Sequence, residues 1–154
     1  MSTPESPSGA TRPFPDAVAV ASALAAAIAE ADGIDVASAW LFGSTARGRA
    51  HRESDVDVAV LLCWGSHRSR SERFEAGILL AGRLQARLGR SVDLLVLNDA
   101  PPLLGRAVVT GGVRLLLRDP ALDHAYVRDV QLRAADLEPW LRRLRARKLE
   151  ALRG

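Results

Sequence analysis

LFGSTARGRAHRESDVDVAVLL, Leu41 to Leu62, sets two aspartates at the head of a run apolar enough to be a buried strand, with a Gly-Ser pair just ahead of them. Alternate residues of a strand share a face, so Asp55 and Asp57 project together while Val56, Val58 and Val60 face the other way. Two carboxylates side by side repel and raise each other's pKa unless a cation lies between them. Mg²⁺ suits such a place, because it takes oxygen ligands at about 2.0–2.1 Å and is commonly held by one or two carboxylates plus substrate phosphates. Asp93, in the short apolar run SVDLLVL, repeats the pattern. If the two strands are neighbours, Asp93 completes a three-carboxylate cluster able to hold two metals roughly 3.5–4 Å apart.

Gly43 and Ser44 fit from the other side. A glycine at a strand end lets backbone approach a phosphate, a serine hydroxyl can donate to a phosphate oxygen, and the following turn offers free N–H groups. Gly-Ser alone reads as an ordinary turn, and Asp55 alone as a strand-edge cap. The two together, with ten residues between Ser44 and Asp55, do not.

The surrounding chain supplies the frame. At 154 residues, 48% apolar and 25% charged, it has the composition of one compact domain. A net charge of +3 from 21 basic and 18 acidic residues is too small an excess to assign a polyanionic partner. The single cysteine, Cys63, allows no intramolecular disulfide and reads as a packing residue. The apolar run Ala17–Ala31 lacks a basic cluster before it and falls short of the roughly 20 residues a membrane span needs, so it is neither signal nor span. A cytoplasmic protein is expected.

Residues 1–15, rich in Pro, Ser, Thr and Gly, read as a disordered leader. Asp16 can cap a helix running to Ala31, with Val20, Leu24, Ala27 and Ile28 on one face. Val36–Phe42 reads as a strand, GSTARG as a helical turn and Asp55–Leu62 as a second strand. Ser69 and Glu72 form a capping box for a helix over Ser71–Leu88, whose apolar stripe is Phe74, Ile78, Ala81, Leu84 and Leu88. Ser91–Leu97 is a third strand, Leu103–Thr110 a short helix and Val113–Leu117 a fourth strand. Strands alternating with helices indicate an α/β domain, its sheet covered by helices. Residues 121–153 read as helical with a break at Pro139. Its basic stripe, Arg142 to Arg153, reads as a solvated helix face, so direct nucleic-acid binding is not expected. His51, His67 and His124 lack metal-ligand spacing.

GS, ten residues, then DVD resembles the signature of the DNA polymerase beta-like nucleotidyltransferase superfamily, and LFGSTARG with SDVDVAVLL is similar to its minimal nucleotidyltransferase (MntA-like antitoxin) branch. The resemblance spans residues 36–119, including NDAPPLLGRAVVTGGVRLLLRD. It implies an α/β (α+β) nucleotidyltransferase fold with a mixed sheet of about four strands, a core over 16–120 and a helical tail over 121–154. It implies that Asp55 and Asp57 bind metal, that Asp93 is the third carboxylate and base, and that Gly43 and Ser44 hold the nucleotide triphosphate. Arg47 and Gly48 match the branch's GSxARG; Arg47 is either a triphosphate contact or a solvated residue. By the same resemblance the donor is ATP with Mg²⁺, in two ions, and the partner is a HEPN-domain RNase toxin, adenylylated on a hydroxyl, a tyrosine's, and so neutralised. Two alternatives stand beside this reading: an antitoxin acting by binding alone, and a small-molecule (antibiotic) nucleotidyltransferase.

Overall fold

The computed structural model describes residues 17–46 and 55–154. The expected leader, Asp16, and the positions Arg47, Gly48, Arg49, His51 and Arg52 lie outside the described residues. Elements follow the order α1 (Ala17–Ala29), β1 (Val36–Phe42), α2 (Gly43–Ala46), β2 (Val56–Leu62), α3 (Arg70–Leu88), β3 (Val92–Val96), a single 3-10 turn (Leu97–Asp99), α4 (Pro102–Gly111), β4 (Val113–Leu117) and α5 (Pro120–Arg153). The strands form one mixed sheet in the order β3-β2-β1-β4: β1 is antiparallel to β2 and β4, and β2 is parallel to β3. The parallel pair requires a crossover, and α3 is that crossover.

Alternation along the strands sorts side chains into two cores. Val36, Val56, Val58 and Val60 face α1 and α3, where they meet Leu24, Ile28, Leu80 and Leu84. Trp40, Ala59 and Leu61 face α4 and α5 with Val108. The second core is smaller. Asp123, fully buried at the start of α5, pairs with Arg114 at 2.9 Å, and that guanidinium lies 4.8 Å from the centre of the Trp40 ring, tying α5 to the sheet.

Two expectations for the helices are corrected. In α3 the expected stripe holds only in its C-terminal part: Leu84 is buried and Leu88 packs against the core, but Phe74 and Ile78 are 65% and 59% exposed, while Arg73, Ala76, Gly77 and Leu80 face inward. The helix is turned by about a quarter turn from its apolar stripe. Gly77 fits that rotation, because a Cβ there would lie 3.0 Å from Val96 Cγ2 and its absence lets β3 come close. Arg73 can take a core position because Asp99 accepts two hydrogen bonds from it, both 2.8 Å. Ser69 caps the helix as expected, with Glu72 N–H donating to Ser69 Oγ at 3.0 Å, but the Glu72 carboxylate reaches one residue further back and accepts from Arg68 N–H at 2.8 Å. In α5, Pro139 does not break the helix, which runs unbroken through it. Proline removes one helical hydrogen bond at a cost of about 3 kcal/mol, and the Leu, Glu, Arg and Ala residues around it are good helix formers that carry the chain past.

The Arg73–Asp99 pair should be a principal fastening of the β2–α3 loop. Arg73 also donates to the carbonyls of His67 and Arg68, at 3.1 and 3.0 Å, and stacks 4.7 Å from the Trp64 ring. Removing one partner leaves a buried charge alone, so Asp99→Ala should cost about 3 kcal/mol in urea unfolding. Arg73, hydrogen-bonded to Asp99, holds its carboxyl below the usual value of 3.8. A depressed folded pKa gives stability that is full above the unfolded value and lost as pH falls through the folded one. Acid destabilisation below about pH 4 should therefore be shallower in Asp99→Asn than in the wild type. Among the described residues, no helix is long and apolar enough to cross a membrane.

Candidate active site

Phe42, Asp57 and Asp93 stand in one row across β1, β2 and β3, since Asp57 is the register partner of both others. The two strands are adjacent, as the clustering of carboxylates requires. Asp57 and Asp93 face the α4–α5 side of the sheet, in step with Ala59, Leu61 and Leu95, but at the end that the two helices leave open. Asp57 is half-buried, while Asp55, one residue before β2, and Asp93 are exposed. Burial raises the pKa of the Asp57 carboxyl, and the neighbouring carboxylates of Asp93 and then Asp55 raise it further. Every cause acts against ionisation, so the described residues supply Asp57 with no counter-charge.

The carboxylates share one end of the sheet without forming a closed cage: among the described residues, no group of three or more His, Cys, Asp or Glu side chains is gathered closely enough to hold a metal. The donors nevertheless fit a divalent cation. They are all carboxylate oxygens, two of them on adjacent strands in direct register, and among the described residues nothing gives Asp57 the opposite charge that its neighbours call for.

Gly43 directly follows Phe42, so the turn α2 begins beside Asp57. Its φ of +72° is a left-handed conformation, and a Cβ would run into Asp57 Oδ2, with Cγ 3.0 Å away. Glycine here does two things: it turns the chain sharply out of β1 and leaves the Asp57 carboxylate unobstructed. Ser44 is half-buried in the same turn. The structure thus brings Gly43, Ser44, Asp57 and Asp93 together at one sheet end, with Asp55 at its approach; Arg47 lies outside the described residues.

A profile of the "Polymerase beta, Nucleotidyltransferase" family matches residues 26–121, well over half of the chain. The chain belongs to the polymerase beta nucleotidyltransferase family. It is 40% identical over 76 residues to the protein adenylyltransferase MntA of Shewanella oneidensis, a stretch covering 49% of this chain and 50% of that protein. The chain thus matches about half the length of this curated relative. In three dimensions it is similar to a toxin-antitoxin structure with AMP-PNP, at TM-score 0.59 and 24% identity over 87% of this chain and 98% of the other. It is also similar to a complex of the tri-AMPylated HEPN toxin of Shewanella oneidensis with the MNT antitoxin, at TM-score 0.51 and 25% identity over 80% and 88% of the two chains. The nucleotidyltransferase fold accounts for the mixed four-stranded sheet.

Some polar residues gained a place that the sequence reading did not give them. Asn98 pairs with β2 like a strand residue, accepting from Leu62 N–H and donating to Leu62 O, both at 2.9 Å, so it prolongs the sheet past the end of β3. His67 Nε2 accepts the Asp35 N–H at 3.0 Å, a structural use that fits the absence of metal spacing. Thr45, passed over between Ser44 and Ala46, is buried, and its Oγ1 has no hydrogen-bond partner among the described residues. No local pattern announces such partners, which are 32 to 36 residues away in sequence.

Proposed function

We propose that the chain is an antitoxin that transfers AMP from ATP to a tyrosine hydroxyl of a HEPN-domain toxin in the cytoplasm. The observation that carries this reading is the register pairing of Asp57 with Asp93 beside the left-handed Gly43. Its support from relatives is the activity in the name of the 40% identical MntA and the AMPylated HEPN toxin in a complex of similar fold. In this scheme Gly43 and Ser44, with Arg47, seat the triphosphate at the end of β1. Asp55, Asp57 and Asp93 would hold Mg²⁺, in one or two ions, which when bound neutralises triphosphate charge. Asp93 takes the proton from the acceptor hydroxyl, whose oxygen bonds to the α-phosphorus as the bond to pyrophosphate breaks. In this scheme the catalytic core expected over 16–120 also takes in the first turns of α5, through Asp123, Val130 and Ala134, and the later turns of α5 are the tail that meets the partner.

Incubation with the HEPN protein encoded beside it, ATP and Mg²⁺ tests the scheme. The partner should gain mass in whole AMP units and lose RNase activity. A partner inhibited fully but left unmodified would favour neutralisation by binding alone. Asp93→Asn separates chemistry from binding, since a base acts in the transition state: kcat should fall by about 100-fold, and nucleotide affinity by less than about 10-fold. Equal losses in both would make Asp93 a ligand only.

A further inference from the structure

The first part of α5 belongs to the core, through Asp123, Val130 and Ala134, but its later turns do not. Arg106 holds Glu138 at 2.8 Å, and from there to Arg145 a cleft lies between α5 and α4. The cleft, ≈ 590 Å³, is lined by Leu103, Ala107 and Leu141 together with Arg106, Arg142 and Arg145, and Glu138 lies among these arginines, 3.9 Å from Arg142 as well. Leu137, Trp140, Leu141, Leu144 and Leu152 recur at helical spacing, and Trp140, Leu144 and Leu152 are 54%, 49% and 76% exposed. A helix end of this length is marginal alone in water, and Pro139 weakens its coupling to the docked half. It carries an apolar stripe that the rest of the chain leaves uncovered.

We infer that this cleft receives an acidic, amphipathic helix of the protein that accepts AMP, an inference that rests on the proposed transfer to a protein. Charge chooses the occupant. The cleft lining sets three arginines against one acid, Glu138, and the helix beyond it, residues 140–154, holds Arg142, Arg143, Arg145, Arg147, Lys148 and Arg153 against Glu150 alone. Two copies of such a helix repel, which disfavours self-pairing, and a nucleic acid would answer the arginines while leaving the leucines and Trp140 in water. An acidic helix with an apolar face answers both. It would lie across the groove between two helices, as helices dock elsewhere. The position is productive too. α4 runs into Val113, which pairs with Leu41 beside Phe42, and Asp57 and Asp93 face the α4–α5 side, so the bound helix lies on the side from which the carboxylates are open.

The full chain and the purified HEPN protein test this by titration calorimetry, with AMP transfer followed in parallel. Arg142→Glu with Arg145→Glu should weaken capture by about 30-fold at about 50 mM salt, and the difference should shrink at about 0.5 M. Leu103→Ala with Leu141→Ala, both in the lining of the cleft, should weaken it at both salt concentrations. ATP binding should stay at the wild-type level in both variants, which shows that the core is folded. Transfer should recover when partner is supplied in excess. Wild-type affinity in both variants overturns the inference and leaves transfer standing. Concentration-dependent dimers of the chain that are lost in the variants overturn it in favour of a second copy. Binding of a labelled single-stranded RNA, lost in the variants while partner capture is untouched, overturns it in favour of nucleic acid. A partner captured through the cleft but never modified overturns the transfer reading instead, and no capture by the wild type overturns both.

Discussion

Asp55→Asn combined with Asp57→Asn should abolish AMP transfer, by about 1,000-fold or more, in a protein that melts no lower than the wild type. The two halves of this expectation have one cause. Asp57 is half-buried, with Asp93 beside it in register and Asp55 two residues away, and both the burial and the like charges raise its pKa. For a carboxyl raised on folding, the folded state holds its proton to a higher pH than the unfolded state does. The associated stability is complete below the usual value of 3.8 and is lost as pH rises through the folded value. At neutral pH and without a cation, the ionised pair therefore costs stability, and amides of the same shape remove the cost. The same amides supply no negative charge to hold a divalent ion. Mg²⁺ should raise the melting temperature of the wild type and leave that of the variant unchanged, and chelation should reduce wild-type transfer to the variant's level. Transfer at the wild-type rate by the double variant would remove these aspartates from the chemistry.

What the sequence made legible follows from the range of each signal. The four strands and the Gly-Ser to Asp-Val-Asp spacing are local, and each strand was expected within a residue or two of its observed bounds. The face of Asp55 and Asp57 needed only the strand period. The strand order was a different matter: that β3 lies against β2, placing Asp93 opposite Asp57, depends on a crossover that residue spacing does not encode, and the family resemblance rather than periodicity implied it. Periodicity was least reliable in α3. Phe74, Ile78 and Ala81 form a good stripe, yet the helix docks through Gly77 and Arg73, because the near contact to Val96 and the two bonds to Asp99 outweigh the hydrophobic pattern. The displaced Phe74 and Ile78 instead line a groove of ≈ 430 Å³ between α3 and the outer edge of β3, which also reaches Asp93. Nothing in the residues around Arg73 announces a partner 26 positions away in sequence.

Gly43→Ala should damage both the fold and the chemistry. The substitution meets two separate obstacles, and they can be measured apart. The first is the backbone: a φ of +72° costs a residue with a Cβ about 1 kcal/mol or more relative to glycine, wherever it occurs. The second is specific to this site, since the new methyl would occupy the place of Asp57 Oδ2. The carboxylate must swing away, and with it goes the row that joins Asp57 to Asp93. Transfer should fall by at least about 100-fold, nucleotide affinity should fall with it because the turn that seats the triphosphate moves as well, and the melting temperature should drop by about 5 °C. A double-mutant cycle separates the two costs. In an Asp57→Ala background the carboxylate is gone, so Gly43→Ala should lose only its backbone share of stability, leaving a coupling of about 1 kcal/mol between the two positions. Strict additivity would mean that alanine at 43 fits without touching Asp57, and that the glycine serves the turn alone.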